Sequence, residues 1–354
     1  MANKLKKAII KAMIDSKTSK NDYLIFAVFS AIWIFSGWIA FLSTLGDFFY
    51  FWIFWGFLLL MIGVLIRQFI LKKISAKISS EFAIVSSSIL FFAIISSFFA
   101  TPTVFSGRDQ GAISEAAIRL SQNHRLEFST PASSRFFEIY GPGKALNFPG
   151  FYYNKSGELI TQFPIPYISW LTSFYSLFGL SGLIAANAVL LFIFLLSFYL
   201  ITRFFLEIKY SALLLALTAT SFPFFWFFKF TLSENMALAL LWLSILWIIL
   251  FLKEKRLFYY FSFLVSASLM VFTRIEGILF LISGFLTIFF ITKKDSFWKE
   301  KRKFVFTYPA VFLFSMLILN FAKDTYFYKE MAKAFLVFGN KNGGALEPGN
   351  VFSP

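Results

Sequence analysis

Six ionisable residues of this 354-residue chain lie at the ends of long apolar runs or just beyond them. Carboxylates accept protons, whereas lysine and arginine side chains bind anions such as phosphate. Charged groups at membrane depth are costly, so these residues are candidates for chemistry at a membrane surface. For each of them the alternative is an ordinary solvated residue at a helix end. The six are Asp109, Glu115, Lys229, Glu234, Arg274 and Glu276.

Asp109 stands out because it opens the polar stretch 101–163, a few residues after an apolar run. The residues that follow repeat apolar side chains at helical spacing, and Glu115 and Arg119 form an i,i+4 pair on the other face. This pattern predicts a helix that lies on the membrane surface. Ser106 and Asp109 also fit a capping box, so a purely structural Asp109 is the alternative.

Composition gives the class of protein. The chain is 58% hydrophobic and 14% charged, contains 54 phenylalanines and has a mean hydropathy of +0.74, which indicates an integral membrane protein. It has no cysteine, which excludes disulfides and thiolate metal ligands. The basic residues 1–20 precede an apolar run that is too long for a signal peptide, so we interpret them as a cytoplasmic tail before a retained span.

Nine apolar runs have about the length that crosses ~30 Å of hydrocarbon. We therefore expect an all-α polytopic membrane protein with about nine transmembrane helices and an outer loop that carries juxtamembrane helices. The predicted spans are Tyr23 to Leu45, Phe48 to Ile66, Phe82 to Ala100, Leu183 to Thr202, Ser211 to Phe228, Met236 to Leu252, Leu257 to Thr273, Gly277 to Thr292 and Phe304 to Phe321.

Charge is distributed unevenly between the connecting segments. With the N-terminus in the cytoplasm, one set of segments holds 21 of the 33 lysines and arginines but only 7 of the 18 acids. The net charge of +15 is therefore positive-inside bias, which leaves no support for a nucleic-acid partner. The same topology puts the six candidate residues on the non-cytoplasmic face. The basic segments are 1–22, 67–81, 203–210, 253–256 and 293–303.

The outer loop, residues 101–182, has further predicted structure. Residues 151–153 and 158–163 read as a short hairpin, and His124, the only histidine, reads as a surface residue. Pro164 to Gly179 reads as a second interfacial helix whose free N–H groups suit an anionic headgroup. Its expected membrane anchors are Tyr167, Trp170 and Tyr175.

Four motifs in order resemble the GT-C superfamily of membrane glycosyltransferases. The chain is most similar to the branch of protein O-mannosyltransferases, lipid A aminoarabinose transferases and RgtA/B/C/D-like enzymes, over about 82–321. The motifs are Asp109 after a span, Phe163-Pro-Ile-Pro-Tyr with Leu177-Phe-Gly179, Thr231-Leu-Ser-Glu-Asn235, and Phe272-Thr-Arg-Ile-Glu-Gly277.

The resemblance implies a hexosyl or pentosyl transferase at the non-cytoplasmic face of a plasma (inner) membrane. It moves a sugar from a polyprenyl-phosphate donor to a hydroxyl of a lipid, glycan or protein, with inversion. The resemblance makes Asp109 the general base or the carboxylate that orients the acceptor, and Glu234 a residue that orients the acceptor or holds a cation. Arg274, with Lys229, binds the donor phosphate, and Glu115, Glu276 and Pro164 support the site.

The chain departs from the family pattern in ways that affect its cofactor. Many relatives have Asp-Glu in the first loop, whereas Gln110 follows Asp109 here. An acid and a lysine that precede the juxtamembrane proline in some relatives are replaced by Gln162 and Phe163. A bound divalent metal is therefore doubtful.

We expect three parts in the chain. Residues 1–81 form an N-terminal tail, an extra transmembrane hairpin and an inner loop, residues 82–322 form the GT-C-like module, and residues 323–354 form a non-cytoplasmic tail that is short or truncated. The alternative functions are a lipid-linked sugar transporter or flippase and a non-catalytic membrane subunit. Transporters tend to hold polar residues near the midplane, whereas the polar residues here lie at one face.

Overall fold

The computed structural model describes residues 20–71, 78–101, 103–104, 109–292 and 307–323, most of which are helical. Helical structure is found at each of the nine predicted apolar runs. Five of these helices are long and apolar enough to cross a membrane, or six if one bent pair forms a single span. The other three have 16 or 17 residues. The protein is thus a multi-pass, predominantly helical membrane protein.

The elements follow one another in an order that inserts a mixed lobe between the third and fourth long apolar helices. In chain order they are α1 (Lys20–Leu45), α2 (Phe51–Ile70), α3 (Ser80–Phe98), α4 (Asp109–Asn123), α5 (Pro131–Tyr140), β1 (Gly143–Lys144), β2 (Phe151–Tyr153), β3 (Leu159–Thr161), α6 (Ile165–Phe178), α7 (Leu180–Thr202), α8 (Ile208–Thr220), α9 (Phe222–Lys229), α10 (Ser233–Glu254), α11 (Leu257–Thr273), α12 (Gly277–Thr292) and α13 (Tyr308–Lys323).

The apolar helices divide into a packed centre and a periphery. In α1, α7 and α10, 61%, 67% and 61% of the apolar segment is buried, against 11% and 17% in α2 and α3. Exposed apolar side chains of α2 and α3, such as Leu59 and Phe91, suit contact with lipid tails. The centre of the bundle therefore includes α1, α7 and α10, and α11 belongs to it as well because 12 of its 17 residues are buried.

The first helix belongs to that centre. The indole of Trp38 donates to the carbonyl of Val265 on α11 at 2.9 Å, and Thr44 and Ser169 share a hydroxyl hydrogen bond of 2.8 Å. The N-terminal hairpin, for which the sequence suggests no role, thus packs through α1 against the helices of residues 82–322.

The charge pattern predicts that successive connecting segments lie at alternate ends of the bundle, and the contacts at the two ends agree with this. We call the end with residues 46–50, 109–179, 230–233 and 274–276 the loop face, and the other end the basic face. On the loop face, Lys323 at the end of α13 pairs with Asp47. On the basic face, Asp22 accepts hydrogen bonds from Ser79, and Glu81 pairs with Arg203. The predicted segments 293–303 and 324–354 lie outside the described residues.

The loop-face lobe contains the predicted hairpin. Strands β2 and β3 pair in antiparallel register with Phe151 opposite Thr161, which confirms the predicted hairpin, and β1 adds a third strand beside β2. The sequence did not indicate β1 or α5. Helix α5 begins at a capping box in which Thr130 and Ser133 satisfy each other's backbone N–H groups.

Helix α6 corrects the prediction of an interfacial helix with aromatic anchors. Tyr167 and Trp170 are fully buried, and the indole of Trp170 donates to the carbonyl of Ala186 on α7 at 3.1 Å. Tyr175 is only partly buried. An aromatic side chain suits both a membrane interface and a packed contact. Packing between α1, α4 and α7 therefore decides where Tyr167 and Trp170 lie, and they are not lipid anchors.

Helices α8 and α9 form one apolar segment that is bent by 54°. The bend lies at Ser221, whose backbone is extended, and Pro223 stands in the first turn of α9. Proline has no N–H to donate and disfavours helical geometry in the residue before it. The predicted span from Ser211 to Phe228 is therefore interrupted just past its middle.

Candidate active site

A cleft of about 220 Å³ opens on the loop face where four distant segments meet. Its walls come from the start of α4, the connection from β3 to α6, the start of α10 and the turn between α11 and α12. The cleft gathers five of the seven residues that the sequence singles out. Its lining includes Asp109, Pro164, Glu234, Arg274 and Glu276.

Asp109 is the first residue of α4 and is exposed. No described residue pairs with its carboxylate. Ser106, the predicted capping partner, lies outside the described residues. A carboxylate at a helix N-terminus is stabilised by the helix dipole, yet an exposed and unpaired one remains available to a ligand. This combination suits a proton acceptor at the mouth of a cleft.

Two buried hydroxyl groups fix the start of α4 against the segment that precedes α10. Ser114 and Thr231 share a hydrogen bond of 2.6 Å, and the Thr231 hydroxyl also lies 2.8 Å from the carbonyl oxygen of Gln110. From the other side, Thr172 of α6 donates to the carbonyl of Ala117 at 3.2 Å. Asp109 and Glu234 therefore face the same cleft although 125 residues separate them.

Arg274 lies between two carboxylates. Its guanidinium contacts Glu276 through two nitrogens, at 2.9 and 3.2 Å, and Glu234 through a third at 2.5 Å. The hydrogen bonding of Arg274 to the Glu276 carboxylate, which accepts from the guanidinium, is the main reason why the pKa of Arg274 lies above its usual value. In return, the hydrogen bond from Arg274 lowers the pKa of Glu276. Both residues are therefore charged at neutral pH.

The cleft has more negative than positive charge. Among the residues that the structure describes, Asp109, Glu234 and Glu276 supply three carboxylates to the lining and Arg274 supplies one cation. Side chains of Arg274, Glu234 and Glu276 are 33%, 39% and 60% exposed, so water reaches all of them. The described residues contain no group of three or more acids and histidines arranged to hold a metal ion.

A buried polar network supports the segment between α9 and α10. The hydroxyl of Tyr167 donates to Asn187 at 2.7 Å, and the side-chain amides of Asn187 and Asn235 both donate to the carbonyl of Phe230, at 2.9 and 2.8 Å. Burial raises the pKa of Tyr167, which keeps it a neutral donor. Residues 230–235 are thus held by α6, α7 and α10 together.

Sequence reasoning missed Asn187 and assigned Tyr167 to the membrane interface. A usable signal existed, since Asn187 is an amide inside an otherwise apolar span, where polar side chains are rare unless they have partners. The partner of Asn187 could not be named from the sequence because Tyr167 and Phe230 belong to other elements.

Two of the predicted site residues lie outside the cleft. Glu115 pairs with Arg119 one helical turn away, at 3.4 Å, and burial raises its pKa. Lys229 ends α9, with its ammonium 6.0 Å from the ring centre of Phe230. It lines a separate narrow groove between α3, α7 and the bent pair α8–α9. Other residues of this groove include Phe92, Ser96, Asn187, Leu191 and Phe224.

No protein-family model, no curated protein and no solved structure matches this chain. What can be said about the function of the cleft therefore rests on its residues and their geometry.

Proposed function

We propose that the protein is a membrane glycosyltransferase that moves a sugar from a polyprenyl-phosphate donor to a hydroxyl group of a lipid, glycan or protein. One observation supports this proposal above the others. Asp109, Glu234 and Arg274 come from three distant segments, yet they line one cleft at the loop-face ends of apolar helices. A lipid carrier holds its phosphate at this depth, and a hydroxyl acceptor can enter from water.

The proposed reaction is a single displacement at the anomeric carbon. The acceptor oxygen forms a bond to this carbon while the bond from the carbon to the phosphate oxygen breaks, which inverts the configuration. The acceptor proton passes to the Asp109 carboxylate, and the electron pair of the broken bond leaves with the phosphate. A positioned carboxylate contributes roughly 10²–10⁴-fold to such a step.

Arg274 has the chemistry that the leaving group needs. Its planar guanidinium donates through two parallel N–H groups and forms paired hydrogen bonds with phosphate oxygens. Charge stabilisation by a fixed donor lowers the barrier because negative charge grows on the phosphate as the bond breaks. Glu234 lies against Arg274 and orients this guanidinium or the acceptor hydroxyl. Pro164 contributes to the wall of the cleft without supplying a charge.

The groove beside Lys229 has a cavity volume of about 20 Å³, so it must widen to take the hydrophobic part of the donor. Its lining combines phenylalanine, leucine and alanine side chains with one lysine, and it lies between membrane helices. The segment 230–233 separates this groove from the cleft. A polyprenyl chain in the groove lies beside Lys229, one of the two cations that the family resemblance assigns to the donor.

The proposal includes the membrane topology. Nine spans, a cytoplasmic N-terminus and a non-cytoplasmic cleft in a plasma (inner) membrane agree with the charge distribution and with the contacts at both faces. In this view the three shorter helices of 16 or 17 residues cross the membrane with local thinning of the bilayer and with flanking charged side chains that reach the interface. The proposed acceptor and donor then meet outside the cytoplasm.

A transporter of lipid-linked sugars is the second candidate. The 54° bend between α8 and α9 favours it, because transporters use interrupted helices around their substrates. However, no ionisable residue lies at this bend, where Ser221, Phe222 and Pro223 stand. Proteoliposomes that move a polyprenyl-phosphate sugar between leaflets without releasing the free carrier phosphate would support the transporter.

The proposed transfer is tested with membranes that contain the full chain, a radiolabelled polyprenyl-phosphate sugar and a mixed lipid and glycan extract as acceptor. We expect label to move to the extract and carrier phosphate to appear in equal amount. Asp109→Asn should lower the rate about 10²–10⁴-fold without a change in membrane insertion. Turnover at the wild-type rate in this variant would remove Asp109 from the reaction.

A further inference from the structure

The turn between α11 and α12 holds Arg274 and Glu276 on one rigid piece of backbone. The Arg274 N–H donates to Met270 at 2.8 Å, and the Gly277 N–H donates back to Arg274 at 2.9 Å. A Cβ atom at Gly277 would lie 2.7 Å from backbone atoms of Met270 and Val271. The two helices approach so closely here that the turn cannot open to separate Arg274 from Glu276.

The two carboxylates on Arg274 differ in how easily they can leave. Glu234 stands in the first turn of α10, whose start is held by the network around Asn187, Phe230 and Asn235. The side chain of Glu276 is 60% exposed, against 39% for Glu234, and Arg274 is the one other side chain among the described residues to which it is bonded, besides its own backbone N–H. Rotation of the Glu276 side chain therefore frees two nitrogens of the Arg274 guanidinium.

Glu276 binds Arg274 in the geometry that a phosphate group uses. Two guanidinium nitrogens, Nε and one terminal nitrogen, each contact a different Glu276 oxygen at 3.2 and 2.9 Å. Carboxylate and phosphate both accept such paired hydrogen bonds. An anion that enters the cleft thus meets a guanidinium whose outer edge is already occupied, and it faces two further carboxylates nearby.

We infer that Glu276 is a resident competitor of the donor phosphate, which must displace it from Arg274 before the donor can bind. This inference rests on the proposed function, since it names the group that Arg274 binds during turnover. The competition weakens the hold of the cleft on a phosphate. After transfer, Glu276 returns to Arg274 and expels the carrier phosphate, so product release does not require a second ligand.

The inference is tested by calorimetric titration of the purified full chain in detergent with farnesyl phosphate, a short polyprenyl phosphate. Glu276→Gln should tighten the dissociation constant roughly fivefold, the range in which partly exposed ion pairs act. Arg274→Ala should abolish binding. Glu138→Gln is the matched control, because Glu138 forms an exposed pair with Arg135 on the same lobe and its side chain is 65% exposed.

The possible outcomes separate the inference from the function on which it rests. An unchanged or weaker affinity in Glu276→Gln, together with Arg274-dependent binding in the wild type, overturns the inference and leaves the proposed donor intact. An equal gain in Glu138→Gln also overturns it, because the effect would then follow net charge alone. If neither the wild type nor any variant binds farnesyl phosphate, the inference and the proposed function are both overturned. Inorganic phosphate, titrated in parallel, should bind more weakly than farnesyl phosphate; equal affinities would contradict a lipid phosphate ligand.

Discussion

The two ends of the helical bundle each contain an arginine bound to glutamate, and they use it differently. On the basic face, Arg203 is 3% exposed and contacts Glu81 at 2.6 Å, while Tyr199 donates to the same carboxylate at 2.8 Å. In the part of this cluster that the structure describes, one cation pairs with one anion. On the loop face, Arg274 is 33% exposed and one of its neighbours, Glu276, is 60% exposed.

The difference lies in charge balance and in access to water. At the basic face the donors of Arg203 are used by Glu81 and by the carbonyl of Leu206, so little capacity remains for a ligand. The loop-face cleft has three carboxylates for one guanidinium and leaves Asp109 without a partner among the described residues. A balanced buried cluster fixes helices relative to one another, whereas an unbalanced open cluster can bind and react.

The largest effect on stability is expected at the basic face. Arg203→Met leaves the Glu81 carboxylate largely buried without its cation, which should cost about 3–5 kcal/mol and lower the melting temperature of the detergent-purified protein. The double variant Arg203→Met with Glu81→Gln should recover much of this loss. An unchanged melting temperature in Arg203→Met would mean that the pair of Arg203 and Glu81 does not stabilise the fold, which would contradict this comparison of the two faces.

A second prediction contrasts two aspartates at opposite faces. Asp22 is fully buried and accepts both the N–H and the hydroxyl of Ser79, at 3.0 and 2.7 Å. Asp22→Asn should therefore cost about 1–3 kcal/mol. Asp109→Asn, at an exposed position that loses only its interaction with the helix dipole, should cost less, about 0.3–1 kcal/mol. Equal losses measured for the two variants by thermal unfolding would erase the contrast between the faces.

The smallest effect concerns the link that holds Asp109 near Glu234. Thr231→Val removes the hydroxyl shared with Ser114 and Gln110, and should lower stability by about 1 kcal/mol. Thr220→Val is the control, since the Thr220 hydroxyl is exposed and bonds only Ala216 in its own helix. A loss of sugar transfer in Thr231→Val beyond that in the control would sharpen the assignment of the cleft. Identical thermal and kinetic behaviour would argue against the link.

Much of the fold was predictable because lipid imposes simple rules. Apolar run length and the positive-inside bias are local properties of sequence, so the nine helical segments and the grouping of Asp109, Glu234 and Arg274 at one face could be predicted. The hairpin at 151–161 was readable for a similar reason, since its turn residues stand between short runs of strand-forming side chains.

The remaining features depend on which helix neighbours which. Hydrophobicity does not tell one apolar helix from another inside a membrane, so the central position of α1 and the burial of Trp170 followed only from packing. Glu115 and Lys229 share the loop face with the cleft residues but point elsewhere. Topology fixes the end of the bundle at which a residue lies. Whether that residue lines a cleft depends on the rotation of its helix and on distances of a few ångströms.

The sequence by itself determined the class of protein, the positions of its apolar helices and the face that collects its charged residues. Length, composition and charge act along the chain and need no tertiary contact. Only the tertiary structure decided that Pro164 and Glu276 line the cleft, that Glu276 occupies Arg274, and that Asn187 supports residues 230–235. These contacts join residues that lie 20 to 167 positions apart or depend on the rotamer of a turn residue, and the packing of the helices sets both.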